Sequence, residues 1–192
     1  MKIRVHKILK NTKVEGPETR YCIWFQGCSK HCKGCWAKAT WDFTGGVELY
    51  AEELLKDILS TQNIEGVTFL GGEPFEQANA LEFLAKNIHD KGLGVVCFTG
   101  FKINEIKNKN ILQYIDLLID DEFIEAEKDF SRPWVGSKNQ KYHFLTDRYS
   151  TEIINEYKNK IEINISENGM IFINGMGDFE KFSQNLDMLT SH

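Results

Sequence analysis

Three cysteines, Cys28, Cys32 and Cys35, fall within the run Gln26-Gly27-Cys28-Ser29-Lys30-His31-Cys32-Lys33-Gly34-Cys35-Trp36. Thiolates spaced this closely converge in a loop, and soft thiolate ligands select zinc, Cu(I) or iron–sulfur clusters. A cubane [4Fe–4S] cluster ordinarily takes four cysteines, so three leave one iron open to an outside molecule. A structural zinc site wants four closed ligands, usually as two separated pairs. His31 could complete a Cys₃His set, but its adjacency to Cys32 strains a tetrahedron. A disulfide framework fits less well. The cysteines number five, the chain has 192 residues, and its N-terminus lacks the apolar core of a signal peptide. The spacing therefore favours a cluster over zinc. Cys22 and Cys97 lie in strand-like stretches and read as small buried hydrophobes.

Two further stretches carry the same chemistry forward. In Phe69-Leu70-Gly71-Gly72-Glu73-Pro74 a short apolar strand ends in two glycines, which let backbone come close to a ligand. The Glu73 carboxylate suits an ammonium through a charge-assisted bond. Taken alone, this stretch is equally a β-to-α turn with Glu73 capping a helix. The other is Leu118-Ile119-Asp120 followed by Ser131-Arg132-Pro133-Trp134-Val135-Gly136-Ser137-Lys138-Asn139-Gln140.

With the C-x₃-C-x₂-C run, these stretches resemble the radical S-adenosylmethionine (SAM) superfamily over roughly residues 21–144. Within it they resemble the activating group of glycyl-radical enzymes, above all the activators of anaerobic ribonucleoside-triphosphate reductases. Many superfamily members carry an aromatic residue just before the third cysteine. Here Gly34 stands there and the aromatic follows as Trp36, as in the activating group. The resemblance implies a [4Fe–4S] cluster on Cys28, Cys32 and Cys35, with SAM on its open iron. Gly34, Cys35 and Trp36 would lie against the adenine, and Gly71, Gly72 and Glu73 would hold the methionine amino group. Thr99, Gly100 and Asp120 end later strands and should face the same mouth, as ribose or methionine contacts or as simple caps and turns. Reductive cleavage of SAM to a 5′-deoxyadenosyl radical and a glycyl radical on a partner enzyme is the activity implied. The partners implied are an anaerobic ribonucleotide reductase and a flavodoxin- or ferredoxin-like electron donor. The alternatives are a radical SAM enzyme that modifies a peptide or small molecule, and a non-enzymatic metal-binding module. Arg132 and Trp134 are interface-anchor types, so their segment reads as a partner-docking or site-closing loop.

The elements that must position these residues alternate. Residues 2–10 and 20–26 read as two strands able to form a hairpin that runs into the cysteine loop. Helical spacing marks 49–59 and 75–91, with a weaker helix over 103–114. Short apolar strands cover 66–70, 93–99 and 115–119. Such alternation argues for βα units and a parallel sheet. The expected fold is α/β: a partial, open (βα) barrel of mainly parallel strands, the word barrel coming from the resemblance. Beyond it follow a strand at 142–145 and a helix over 147–160. Asn168-Gly169 between alternating runs signals a C-terminal hairpin, and a last helix covers 178–189. One domain spans 1–192, with its core at about 20–145 and an extension at 146–192.

Bulk properties exclude several classes. Net charge is −5, which argues against a nucleic-acid surface. No apolar run is long enough to span a bilayer. Clustered thiols without an export signal predict a reducing cytoplasm.

Overall fold

Alternation of apolar and polar residues makes Lys2–Thr12 (β1) and Arg20–Phe25 (β2) strands, and they pair antiparallel as a hairpin. The structure is a computed structural model that describes residues 1–169 and 171–177. Val47–Tyr50 (β3) adds antiparallel to the free side of β1. The buried apolar strands Gly66–Gly71 (β4), Gly94–Phe98 (β5) and Leu117–Asp120 (β6) continue from β2 in parallel. Lys141–Phe144 (β7) closes the far side antiparallel to β6. The order is β3-β1-β2-β4-β5-β6-β7, with a parallel centre and antiparallel edges. This is a mixed α/β sheet with the expected β–α alternation. Residues 49–50, expected at the start of the 49–59 helix, instead end β3, which is held as a strand by its ladder to β1.

Helices Ala51–Ser60 (α1) and Ala78–His89 (α2) cover one face. Their apolar stripes pack on Ile23, Phe69, Val95 and Leu118, with Leu81, Leu84 and Ile88 fully buried. Each such side chain contributes ~1.5–3 kcal/mol by leaving water. Cys97 lies in this buried layer, and Cys22 is buried on the other face of β2 beside Arg20 and Thr68. The opposite face carries a smaller cluster of Val96, Leu117, Ile119, Trp134, Val135 and Tyr149.

Two expected helices are cut short. Between β5 and β6 only a 3₁₀ segment, Lys109–Tyr114, forms, because Asn108 caps it and Ile106 and Ile111 are drawn separately into the core. Of 147–160 only Ile153–Glu156 (α3) is helical. There Tyr149 is buried and donates to Glu18, while Arg20 donates to its hydroxyl at 2.9 Å. Tyr157 packs on Trp134 with ring centroids 5.1 Å apart. These tertiary anchors override helical propensity. The C-terminal hairpin is present as Ile161–Ile165 (β8) and Ile171–Gly175 (β9). The helix expected at 178–189 lies outside the described residues. Among the described residues no helix is long and apolar enough to cross a membrane.

Candidate functional site

The cysteine loop leaves β2 at its C-terminal end and is held from both sides. Gln26 is buried and donates through Nε2 to the Ala39 and Asp42 carbonyls at 3.2 and 2.6 Å. The Gly27 N–H donates to Thr40 O at 2.7 Å and the Cys28 N–H to Trp41 O at 3.2 Å. Gln77, at the foot of α2, donates to Gln26 O at 3.0 Å and Arg4 O at 2.8 Å. Sequence reasoning missed Gln26 and Gln77; a buried amide that serves backbone carbonyls leaves no motif.

The Gly71-Gly72-Glu73 turn is bonded to the same loop. The Gly72 N–H donates to Phe25 O at 2.9 Å, and the Glu73 N–H to Gly27 O at 2.8 Å. The glycines are needed for that approach. Gly71 has φ +99°, and a Cβ there would lie 2.6 Å from Trp24 Cα. A Cβ on Gly72 would lie 2.4 Å from Gly27 O. Pro74–Gln77 then forms a 3₁₀ turn, capped by Glu73.

Glu73 is 1% exposed. Its Oε1 accepts the Phe75 N–H at 3.0 Å and the Thr99 hydroxyl at 2.8 Å, and its Oε2 accepts the Gly100 N–H at 2.8 Å. Burial pushes its carboxyl up to about 7 against these three donors. A carboxylate offers about four acceptor positions, so one remains. Glu73 is thus both a tie between the ends of β4 and β5 and an acceptor with one place left.

Cys28 is buried, and Cys32 and Cys35 are half-buried. Burial pushes the Cys28 thiol up, while the Lys30 and His31 N–H groups donate to its sulfur and oppose the shift. Burial raises Cys32 likewise, opposed by the Phe123 N–H. All three sulfur side chains line one cavity of about 580 Å³, together with Trp36, Gly71, Gly72, Glu73, Thr99 and Gly100. Its size and its mixed apolar and polar wall suit a small-molecule ligand. His31 does not line this cavity. It stacks on Trp41 at 4.6 Å, so it is occupied away from the thiols. Among the described residues no three His, Cys, Asp or Glu side chains gather round a single metal-ion position.

Gly34 has φ +77°, and a Cβ added there would lie 2.7 Å from Glu125 Oε1. Asp120 points off the cavity: it accepts the Ile103 N–H at 2.8 Å and sits 2.9 Å from His143 Nε2. Its neighbour Asp121, at φ +82°, lines the cavity in its place. Trp36 lies at the rim, 60% exposed. Lys30, missed from sequence, lines the wall with its ammonium 4.3 Å from the Phe101 ring centroid.

The Ser131-to-Gln140 segment is a braced wall. Arg132 donates to the carbonyls of Ser137, Lys138 and Gln140, and Trp134 is buried. Trp134 is therefore packed inside, while the Arg132 side chain stays partly exposed. Gly136 and Gln140 line the cavity.

This arrangement of a three-thiol loop beside a glycine turn is that of an iron–sulfur protein. The chain belongs to the 4Fe-4S single cluster domain family, whose model matches residues 14–143. It is similar to the anaerobic ribonucleoside-triphosphate reductase-activating protein of Haemophilus influenzae, 32% identical over 142 residues that make 68% of this chain and 90% of the relative. The protein of that name from Pasteurella multocida is 36% identical over 147 residues, 69% of this chain and 92% of the relative. Among solved structures, QueE from Escherichia coli covers 52% of this chain and 53% of its own at a TM-score of 0.44 and 21% identity.

Proposed function

We propose that this chain activates an anaerobic ribonucleoside-triphosphate reductase by radical SAM chemistry. Cys28, Cys32 and Cys35 hold a [4Fe–4S] cluster, and SAM lies between that loop and the Gly71-Gly72-Glu73 turn. When bound, the pair supplies the chemistry: one electron splits the sulfonium C–S bond to methionine and a 5′-deoxyadenosyl radical, which takes a hydrogen atom from a glycine Cα of the reductase. The chain's own residues bind, orient and shield. The remaining acceptor position of Glu73 takes an N–H of the methionine ammonium. The backbone of Gly71 and Gly72 admits the ligand where a side chain would block it. Trp36 at the rim covers the ligand, and the braced wall from Asp121 to Gln140 excludes water.

The observation that carries this reading is the bonding of the cysteine loop to the glycine turn through Phe25 O and Gly27 O, across one shared cavity. Relatives matched over nine-tenths of their length support the choice of client. We read the sheet as the wall of a partial open (βα) barrel within one domain, its mouth at the C-terminal ends of β2, β4 and β5. A flavodoxin- or ferredoxin-like protein supplies the electron, in a reducing cytoplasm.

The test mixes the reduced, SAM-loaded protein with its cognate reductase and records the electron paramagnetic resonance spectrum. A doublet is expected, collapsing to a singlet when the reductase glycine is deuterated at Cα. SAM cleavage with no such signal from any cognate glycyl-radical enzyme would overturn the reading.

A further inference from the structure

The C-terminal hairpin is fastened to the body by its polar face. The register Glu162↔Asn174, Ile163↔Ile173 and Ile165↔Ile171 puts Glu162, Asn164, Asn174 and Phe172 on one side and the isoleucines on the other. On the polar side Thr12 donates to Glu162 at 3.0 Å, Asn174 donates to Thr12 at 3.2 Å, and the Gly175 N–H donates to the buried Glu15 at 2.7 Å. These bonds turn the other side outward. Ile163, Ile165, Ile171 and Ile173 are 45%, 70%, 62% and 38% exposed. A contiguous apolar stripe rimmed by polar residues marks an interaction surface.

Two observations identify what it meets. First, Ile173 belongs both to the stripe and to the cavity wall, so the stripe starts at the mouth of the site. Second, the hairpin lies outside residues 14–143, which the family model matches, yet it builds part of that cavity. It is an addition placed where a substrate enters. We infer that the isoleucine face of the hairpin is the docking surface for the polypeptide substrate, which lays an apolar segment along it while its glycine loop enters the cavity. This rests on the function proposed above.

The test uses the full chain with its cluster and SAM, comparing the parent with the double variant Ile165→Asp/Ile171→Asp. Both residues lie away from the cavity. SAM cleavage without client should stay within about twofold of the parent. The KM for the cognate anaerobic reductase in radical formation should rise roughly tenfold or more, with kcat at saturating reductase nearly unchanged. Ile165→Val/Ile171→Val should restore the parent KM. Ile165→Thr/Ile171→Thr keeps β-branching and serves if the aspartates prevent folding; a rise in KM is expected there too. An unchanged KM overturns the inference. If it comes with a lower melting temperature of the free protein, the chain itself covers the face; if it comes with loss of a concentration-dependent dimer, a second copy does. A parent that forms no glycyl radical overturns the functional reading and the docking surface together, whereas a competent parent with an unaffected variant overturns the docking surface alone.

Discussion

Replacing Glu73 by Gln removes a charge while keeping the side chain's shape, and the structure fixes what should follow. In the parent three protein donors use three of about four acceptor positions, leaving one for the SAM ammonium. A hydrogen bond to a charged group contributes ~1.5–3 kcal/mol, so Glu73→Gln should weaken SAM binding by ~10- to 150-fold. The Gln side chain can still accept from Phe75 and Thr99 at its oxygen, but its NH₂ must then face the Gly100 N–H. That donor–donor contact costs ~1–3 kcal/mol of stability.

The pH dependence supplies a second, independent reading. Burial raises the Glu73 carboxyl from 4.5 to about 7, and the nearby Glu76 adds to the shift. The folded protein then binds this proton more tightly than the unfolded chain. Its contribution to stability is present at low pH and is lost as pH rises from 4.5 to about 7, by roughly 3 kcal/mol. Gln cannot titrate, so the variant should lose that slope. A bound ammonium favours the carboxylate, so SAM binding to the parent below pH 7 should release a proton, and affinity should fall with falling pH. Isothermal titration in two buffers of different ionisation enthalpy measures both affinity and proton release. If Glu73→Gln bound SAM as tightly as the parent, with the same pH profile, Glu73 would be a turn lock and the ammonium would sit elsewhere.

Anaerobic reconstitution should give a brown protein with one four-iron cluster, lost in Cys28→Ser, Cys32→Ser and Cys35→Ser and kept in Cys22→Ala and Cys97→Ala; iron analysis and the visible spectrum decide, and stoichiometric zinc without iron would sink the assignment. Gly72→Ala must push against Gly27 O, so denaturant unfolding should show a loss of ~1–3 kcal/mol together with weakened SAM binding. Gly92→Ala meets no atom within 4 Å and should cost only the left-handed backbone, about 1–2 kcal/mol, with SAM binding intact. Burial also raises the Glu15 carboxyl to about 7, so Glu15→Gln should remove a second part of the stability lost between pH 4.5 and 7 in urea melts of the cluster-free chain.

What the sequence made legible was what local pattern controls. Short apolar runs placed the central strands and period-3.6 spacing placed α1 and α2, because both kinds of element face one core. Asn168-Gly169 placed the hairpin turn, where Gly169 takes φ +81°. The cysteines and the glycine turn were legible because their chemistry restricts residue type. What escaped depends on partners distant in sequence. Gln26 and Gln77 act on carbonyls up to 73 residues away. Arg20 is fully buried because Thr68, Val67 O, Gly94 O, Tyr149 and Glu18 accept its five N–H groups, and all of these but Glu18 lie far from it in the chain. Asp120 was assigned to the cavity from its place at a strand end. Position along the chain does not set the direction of a side chain, because strands alternate faces.

The cysteine loop and the glycine turn lie more than forty residues apart in sequence, and one feature brings them level. β2 and β4 are parallel neighbours in unbroken register, Arg20↔Gly66 through Phe25↔Gly71. Both strands therefore end together, and the next residues of each, Gly27 and Gly72-Glu73, meet across the sheet's C-terminal edge. Register here is set by burial: Tyr21, Ile23 and Phe25 on one strand and Val67 and Phe69 on the other are fully buried in the same core. A slip of β4 by one residue would turn Val67 and Phe69 to the wrong face and cost several kcal/mol. It would also part Glu73 N from Gly27 O. The same apolar pattern that stabilises the sheet thus sets the distance between the thiols and the glycine turn, and on the function proposed above a core substitution that shifts β4 by a fraction of its pleat should be felt first as loss of SAM affinity rather than of the cluster.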